Sequence, residues 1–130
     1  MNYLLDTDIL IDWLRGKKSV LRFFKETKGV FYYSSITRKE LLAGCRDTAE
    51  IAQIQSLLRT MRIVRIDPII ALKASELVNR YANTPLHKSD SLIAATAWVE
   101  KLILVTRNRK HFEFVGEIRI LVPRGASEVT

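Results

Sequence analysis

Four acidic side chains stand where they can do more than solvate a surface. Asp6 closes the apolar run Tyr3-Leu4-Leu5, Asp8 follows two positions later, Glu40 lies within the segment SSITRKELLAG at 34–44, and Asp90 precedes the apolar stretch 92–99. Each also has a plain structural reading. Aspartate is among the best helix N-cap residues, so Asp6, Asp8 and Asp90 can each simply start a helix. Glu40 sits one helical turn from Ile36 and one from Gly44, which leans it toward the buried flank, where a carboxylate is costly without a partner. A solvated helix face is the alternative. The set carries more than its members: three carboxylates, Asp6, Glu40 and Asp90, arriving in one cleft from separate elements cannot all remain ionised unless something positive balances them. Magnesium or manganese accepts such hard oxygen ligands and keeps several waters besides. A cation held this way acidifies a bound water and neutralises charge on a phosphodiester, which is the chemistry of metal-dependent phosphodiester hydrolysis.

The elements that must position these acids are read from periodicity and punctuation. Residues 2–6 form a buried strand, and 9–14 a short apolar helix entered through Thr7 and Asp8 and ended by Gly16. A second helix spans 17–28, with Val20, Leu21, Phe23 and Phe24 facing inward, and Gly29 closes it. A strand at 30–33 leads to a helix capped by Ser35 or Thr37 and running through Glu40 to about Arg46. Asp47 and Thr48 open a helix with Ile51, Ile54, Leu58 and Met61 at helical spacing, followed by a strand at 63–66. Asp67-Pro68 is a cap followed by a first-turn proline, and Ile70, Ala74, Leu77, Val78 and Tyr81 make one stripe of the next helix, which breaks at 83–85. Ser89 or Asp90 opens a helix so apolar that it must be central. Strands at 102–106 and 119–122 flank a short turn or helix at 108–112.

Strands separated by helices of ten or more residues require parallel pairing with right-handed crossovers. The expected fold is therefore an α/β class three-layer α/β/α sandwich around a parallel sheet, formed by one domain over residues 1–130 with a polar tail from about 123. Ligands of such sheets bind beyond the carboxyl ends of the strands, where Asp6 and Thr106 fall.

The totals limit the function. Lysine and arginine outnumber aspartate and glutamate 21 to 14, giving a formal charge of +7, so a polyanionic partner is favoured by charge alone. Cys45 is the only cysteine, which excludes an internal disulfide and a cysteine-based zinc cluster. No apolar run approaches a membrane span, and the acids near the start do not suit a signal peptide, so a cytoplasmic protein with no membrane contact is expected.

Three segments in this order resemble a known family. LLDTDILIDW at 4–13, SSITRKELLAG at 34–44 and SDSLIAATAWVEKLILVTRNRKHF at 89–112 are similar to the motifs of the PIN-domain ribonucleases, and among them to the VapC-type toxins of toxin–antitoxin pairs. The resemblance implies a metal-dependent endoribonuclease with Asp6, Glu40 and Asp90 as acidic ligands for Mg2+ or Mn2+, a small antitoxin protein as partner, and a homodimer. Many relatives carry a fourth acid in the turn after the TRN segment 106–108, where this chain offers Asn108 and His111. Asn108 can hold a water or metal through its amide oxygen, and is counted with the catalytic set; His111 reads as a packing or phosphate-contact residue. Arg38, Lys39, Lys88, Arg107, Arg109 and Lys110 are candidates for RNA phosphate contacts. His87 reads as a loop residue, and Trp13 and Trp98 as core.

Two other readings compete. A haloacid dehalogenase-type phosphatase also begins with a strand ending in Asp-x-Asp, as Asp6-Thr7-Asp8 does, but needs a further acid pair after a late strand, where this chain has TRNRK. A PIN-fold module that binds RNA or antitoxin without cleaving is the other, suggested by the missing fourth acid.

Overall fold

The computed structural model describes residues 1–84, 86 and 88–124. Its parallel sheet holds five strands, β1 (Asn2–Leu5), β2 (Val30–Ser34), β3 (Arg62–Val64), β4 (Ile103–Val105) and β5 (Ile120–Leu121), in the order β3-β2-β1-β4-β5. Among the described residues seven helices connect them: α1 (Thr7–Leu14), α2 (Lys18–Glu26), α3 (Ser35–Gly44), α4 (Thr48–Leu58), α5 (Pro68–Arg80), α6 (Lys88–Glu100) and α7 (Arg109–Phe112). Every crossover therefore contains helix, as parallel neighbours demand.

Alternation along the strands assigns the two faces. Leu4 and Leu104, paired in register, point to one side and pack with Ile70 and Leu77 of α5 and Ile93 to Ala95 of α6. Tyr3, Leu5, Ile103 and Val105 point to the other, against Ile9 and Leu10 of α1, Val20 and Phe23 of α2, Leu41 of α3, and Ile54 and Leu58 of α4. A central strand read as unbroken apolar sequence is thus covered on both sides, which is the expected three-layer α/β/α arrangement. Each fully buried leucine here stabilises the fold by about 1.5–3 kcal/mol relative to exposure. Alanines 94, 95 and 97 keep α6 thin on its inner side, and it packs extensively on α5.

Local signals set most helix starts. Asp67 Oδ1 accepts from the Ile70 backbone N–H at 2.8 Å, with Pro68 following, and Asp47 Oδ1 accepts from Glu50 N–H at 2.9 Å. Several expectations are corrected. The cap of α3 is Ser34, whose Oγ accepts from Ile36 N–H at 3.2 Å, because the last residue of β2 already turns toward the helix; neither Ser35 nor Thr37 serves. Helix α6 begins at Lys88, so Asp90 lies inside its first turn and does not open it. The third strand, at the sheet edge, starts at Arg62 and ends at Val64, one residue shorter than the expected 63–66. Leu21 is exposed, since the inward face of α2 is filled by Val20 and Phe23. Trp98 is 39% exposed and stacks under Lys73, whose Nζ lies 3.7 Å from its ring centroid; a helix apolar all round hid which side met solvent. His87, and the tail from 125 onward, lie outside the described residues.

Among the described residues, no helix is long and apolar enough to cross a membrane.

Candidate active site

Strand order reverses at β1, which has β2 on one side and β4 on the other. That switch point opens a crevice beyond the carboxyl ends of β1 and β4. Asp6 follows β1 and Thr106 follows β4, and the two are joined across 100 residues of chain: Thr106 Oγ1 donates to Asp6 Oδ2 at 2.8 Å. The other Asp6 oxygen accepts from Thr7 N–H at 2.8 Å, with Asp6 in extended backbone as N-cap of α1. Capping and lining the crevice are therefore one geometry for Asp6. Asp8 lies in the first turn of the same helix and caps nothing.

The crevice, a volume of about 310 Å³, is lined by Asp6, Thr7, Asp8, Glu40, Asp90, Asn108 and His111, with Ile11, Ser89 and Ile93 completing it. The four expected catalytic residues are thus brought together from β1, α3, α6 and the turn before α7. Glu40 does not lean into the core as its spacing implied. It is exposed, because the buried stripe of α3 runs through Thr37 and Leu41, and its Oε1 accepts from Thr7 Oγ1 at 3.0 Å. His111 Nδ1 lies 3.5 Å from Asp90 Oδ2. The Asn108 backbone N–H donates to Thr106 Oγ1 at 3.0 Å, which ties that turn to the end of β4.

Burial and crowding set the charge state. Asp6 is 8% exposed, and its carboxyl is raised from the ordinary 3.8 to about 7, by burial first and the Asp8 charge second; the Thr106 and Thr7 hydrogen bonds pull it down, and the Asp90 charge pushes it up. Asp8 is also raised, chiefly by burial, against the opposing Arg107 backbone hydrogen bond and guanidinium. Asp8 Oδ1 is buried without a hydrogen-bond partner among the described residues. Such an excess of negative charge on hard oxygen donors suits a divalent cation of the magnesium class. Among the described residues no three acidic, cysteine or histidine side chains form a ready-made metal cluster; Asp6, Glu40 and Asp90 line one crevice.

None of the lysines and arginines expected as phosphate contacts is among the residues that line the crevice itself. Arg38 lines a separate recess with Tyr33, Gln55, Leu58 and Arg59, and Lys88 lines a groove between α5 and α6. Lys39, Arg109 and Lys110 are exposed. Arg107 is held by acids of α1: its Nη1 lies 2.6 Å from Asp12 Oδ1 and its Nε 3.6 Å from Asp8 Oδ2. Asp12 and Thr7 escaped the sequence reading. The signal for Asp12 was its spacing of four from Asp8 on an apolar helix, since two like charges one turn apart call for a cation.

Comparison with known proteins gives the same outline. The family model described as PIN domain matches residues 3–117. "Ribonuclease VapC10" of Mycobacterium tuberculosis is 32% identical over 120 residues, covering 89% of this chain and 90% of the relative. "tRNA(fMet)-specific endonuclease VapC" of Shigella flexneri is 29% identical over 126 residues, covering 92% and 96%. Among solved structures, a toxin–antitoxin complex from Klebsiella pneumoniae superposes with a TM-score of 0.81 at 29% identity, covering 94% of this chain and 98% of the other. DNA-bound VapBC from Salmonella typhimurium gives 0.85 at 25% identity, covering 95% and 99%. With the matched model spanning every residue that lines the crevice, the chain belongs to the PIN-domain family, in its VapC branch.

Proposed function

We propose that this chain is an endoribonuclease toxin that hydrolyses RNA phosphodiester bonds in the crevice at the β1/β4 switch point and is held in check by an antitoxin protein. The observation that carries the reading is the gathering of Asp6, Glu40 and Asp90 in one cleft, with the Asp6 carboxyl raised by burial and neighbouring negative charge. Relatives named ribonuclease and tRNA-specific endonuclease, and likeness to a toxin–antitoxin complex, support it. The antitoxin follows from that likeness, and self-association into a homodimer belongs to the same reading, supported by the exposed apolar Ile69 and Leu72 of α5. A lone, unpaired Cys45 suits a reducing cytoplasm.

Asp6, Glu40 and Asp90 are the residues that would hold Mg2+ or Mn2+. The ion supplies positive charge that polarises the phosphodiester and acidifies water. The protein's own part is preorganisation. Thr106 and the Thr7 backbone fix both oxygens of Asp6, and the Thr7 hydroxyl fixes Glu40. Asn108 presents an amide at the rim, where it can donate to a phosphate oxygen. His111 stands against Asp90 on the opposite wall. Single-stranded or looped RNA is the expected substrate, because A-form helices hide their base edges in a narrow groove.

The test is cleavage of total RNA and purified tRNA by the chain with Mg2+ or Mn2+, with chelator, and with Asp90→Asn. Discrete fragments that disappear with chelator and with a variant of unchanged melting temperature support the reading. Tight RNA binding without cleavage under any ion would replace it with a non-enzymatic RNA-binding or antitoxin-binding module.

A further inference from the structure

The turn between β4 and α7 leads Asn108 and His111 into the cleft; its Thr106 is held by the Asp6 side chain, and its Arg107 by the side chains of Asp8 and Asp12 on α1. These two acids lie one helical turn apart on the same side of α1 and are 8% and 5% exposed. Like charges at that spacing repel, and their burial is costly unless a cation answers both. Arg107 does so from 95 residues away. Its Nη1 meets Asp12 Oδ1 at 2.6 Å, its Nε stands 3.6 Å from Asp8 Oδ2, and its backbone N–H donates to the same Asp8 oxygen at 3.3 Å. The rigid guanidinium fork suits a bridge between two carboxylates, which a lysine ammonium cannot span in the same way. Lys17 Nζ reaches Asp12 Oδ2 only at 3.6 Å from a half-exposed position.

Resting on the proposed ribonuclease reading, we propose that Arg107, clamped by Asp8 and Asp12, is a positioning residue that sets Asn108 and His111 over the cleft, and that it makes no RNA phosphate contact. Both the side chain and the backbone of Arg107 are anchored, so the next residue in the chain inherits its position, and Asn108 N–H is tied in turn to Thr106, which holds Asp6. One chain of contacts thus runs from Asp12 through Arg107 to the acid at the centre of the crevice. An RNA phosphate taking the guanidinium would leave two buried carboxylates unanswered, and that opposes the exchange.

The experiment compares wild type, Arg107→Gln, Asp12→Asn and the double variant. Single-turnover cleavage of a tRNA pool is measured at saturating protein with Mg2+, and binding to the same pool is measured in chelator across a salt series. Displacement of the turn is expected to lower the single-turnover rate about tenfold or more in each single variant. Binding and its salt slope stay at the wild-type values, and the double variant is no slower than Arg107→Gln, because both substitutions open one clamp. The proposal is overturned by a phosphate-contact signature, in which Arg107→Gln weakens binding and reduces the salt slope by about one while Asp12→Asn cleaves normally. Normal cleavage by both single variants overturns it equally. Should Arg107→Gln melt below the assay temperature, Asp12→Asn decides alone, since it keeps the side-chain shape and leaves Arg107 free to reach RNA. Wild-type protein that cuts no RNA under any ion refutes the ribonuclease reading and this proposal together, whereas an active wild type with unaltered variants refutes the clamp alone.

Discussion

Replacing Asp6 by asparagine separates what the carboxylate costs the fold from what it does in the cleft. In the folded chain Asp6 holds its proton up to about pH 7, whereas in the unfolded chain it loses it near 3.8. Between those values the folded state binds more protons than the unfolded, so stability falls as pH rises and levels off above 7. From pH 5 to pH 8 the folded-state titration spans two pKa units, which is roughly 3 kcal/mol at 1.36 kcal/mol per unit. Part of that is shared with Asp8, whose charge is the second cause of the shift, so the figure is an upper bound. Asparagine keeps the cap to Thr7 N–H, and Thr106 Oγ1 can turn its proton to Asp8 Oδ2, 3.3 Å away. Urea denaturation in chelator at pH 5 and pH 8 is the assay. The variant should gain on wild type by up to about 3 kcal/mol between the two pH values while losing RNA cleavage. A stability difference that is the same at both pH values would refute the argument, for it would mean that Asp6 is ionised throughout.

Other outcomes follow from the same geometry. Thr106→Val keeps the volume of a fully buried side chain but removes the donor to Asp6 and the acceptor for Asn108 N–H, and should cost about 1–3 kcal/mol in chemical denaturation. Glu40→Gln alters an exposed side chain, so stability should stay within about 0.5 kcal/mol while metal-supported cleavage falls sharply; normal cleavage would remove Glu40 from the site. Gly29→Ala drives a methyl into Met1 O and to 2.8 Å from the Tyr3 ring at a φ of +155°, and a lowered melting temperature should register it.

The sequence disclosed elements wherever periodicity and caps agreed. Asp67-Pro68 and Asp47 announced their helices, and the apolar 92–99 stretch announced a central one, because those signals are local. Orientation about a helix axis was harder to read. Glu40 could lean inward or face solvent and Trp98 reads as core, and both face out, since one turn of α3 has two plausible stripes and α6 has no polar side to mark solvent. Ser35 and Thr37 were the hydroxyls the sequence offered for the cap of α3, and the backbone leaving β2 selects Ser34 instead. The gathering of the acids could be anticipated from strand ends and spacing. What held Arg107 could not, because its partners stand 95 and 99 residues away and no local pattern couples them.

The bond from Thr106 to Asp6 also bears on when the chain becomes active. Asp6 is translated 100 residues ahead of its stabilising hydroxyl, which arrives with the strand that enters the sheet between β1 and β5, and Asp90 and Asn108 arrive on either side of that strand. A nascent polypeptide that stops short of β4 leaves Asp6 on an edge strand, without the hydroxyl that fixes it and without Asn108. Beside the RNA of the ribosome, a growing chain thus lacks a complete crevice until synthesis has passed His111, the last residue that lines it.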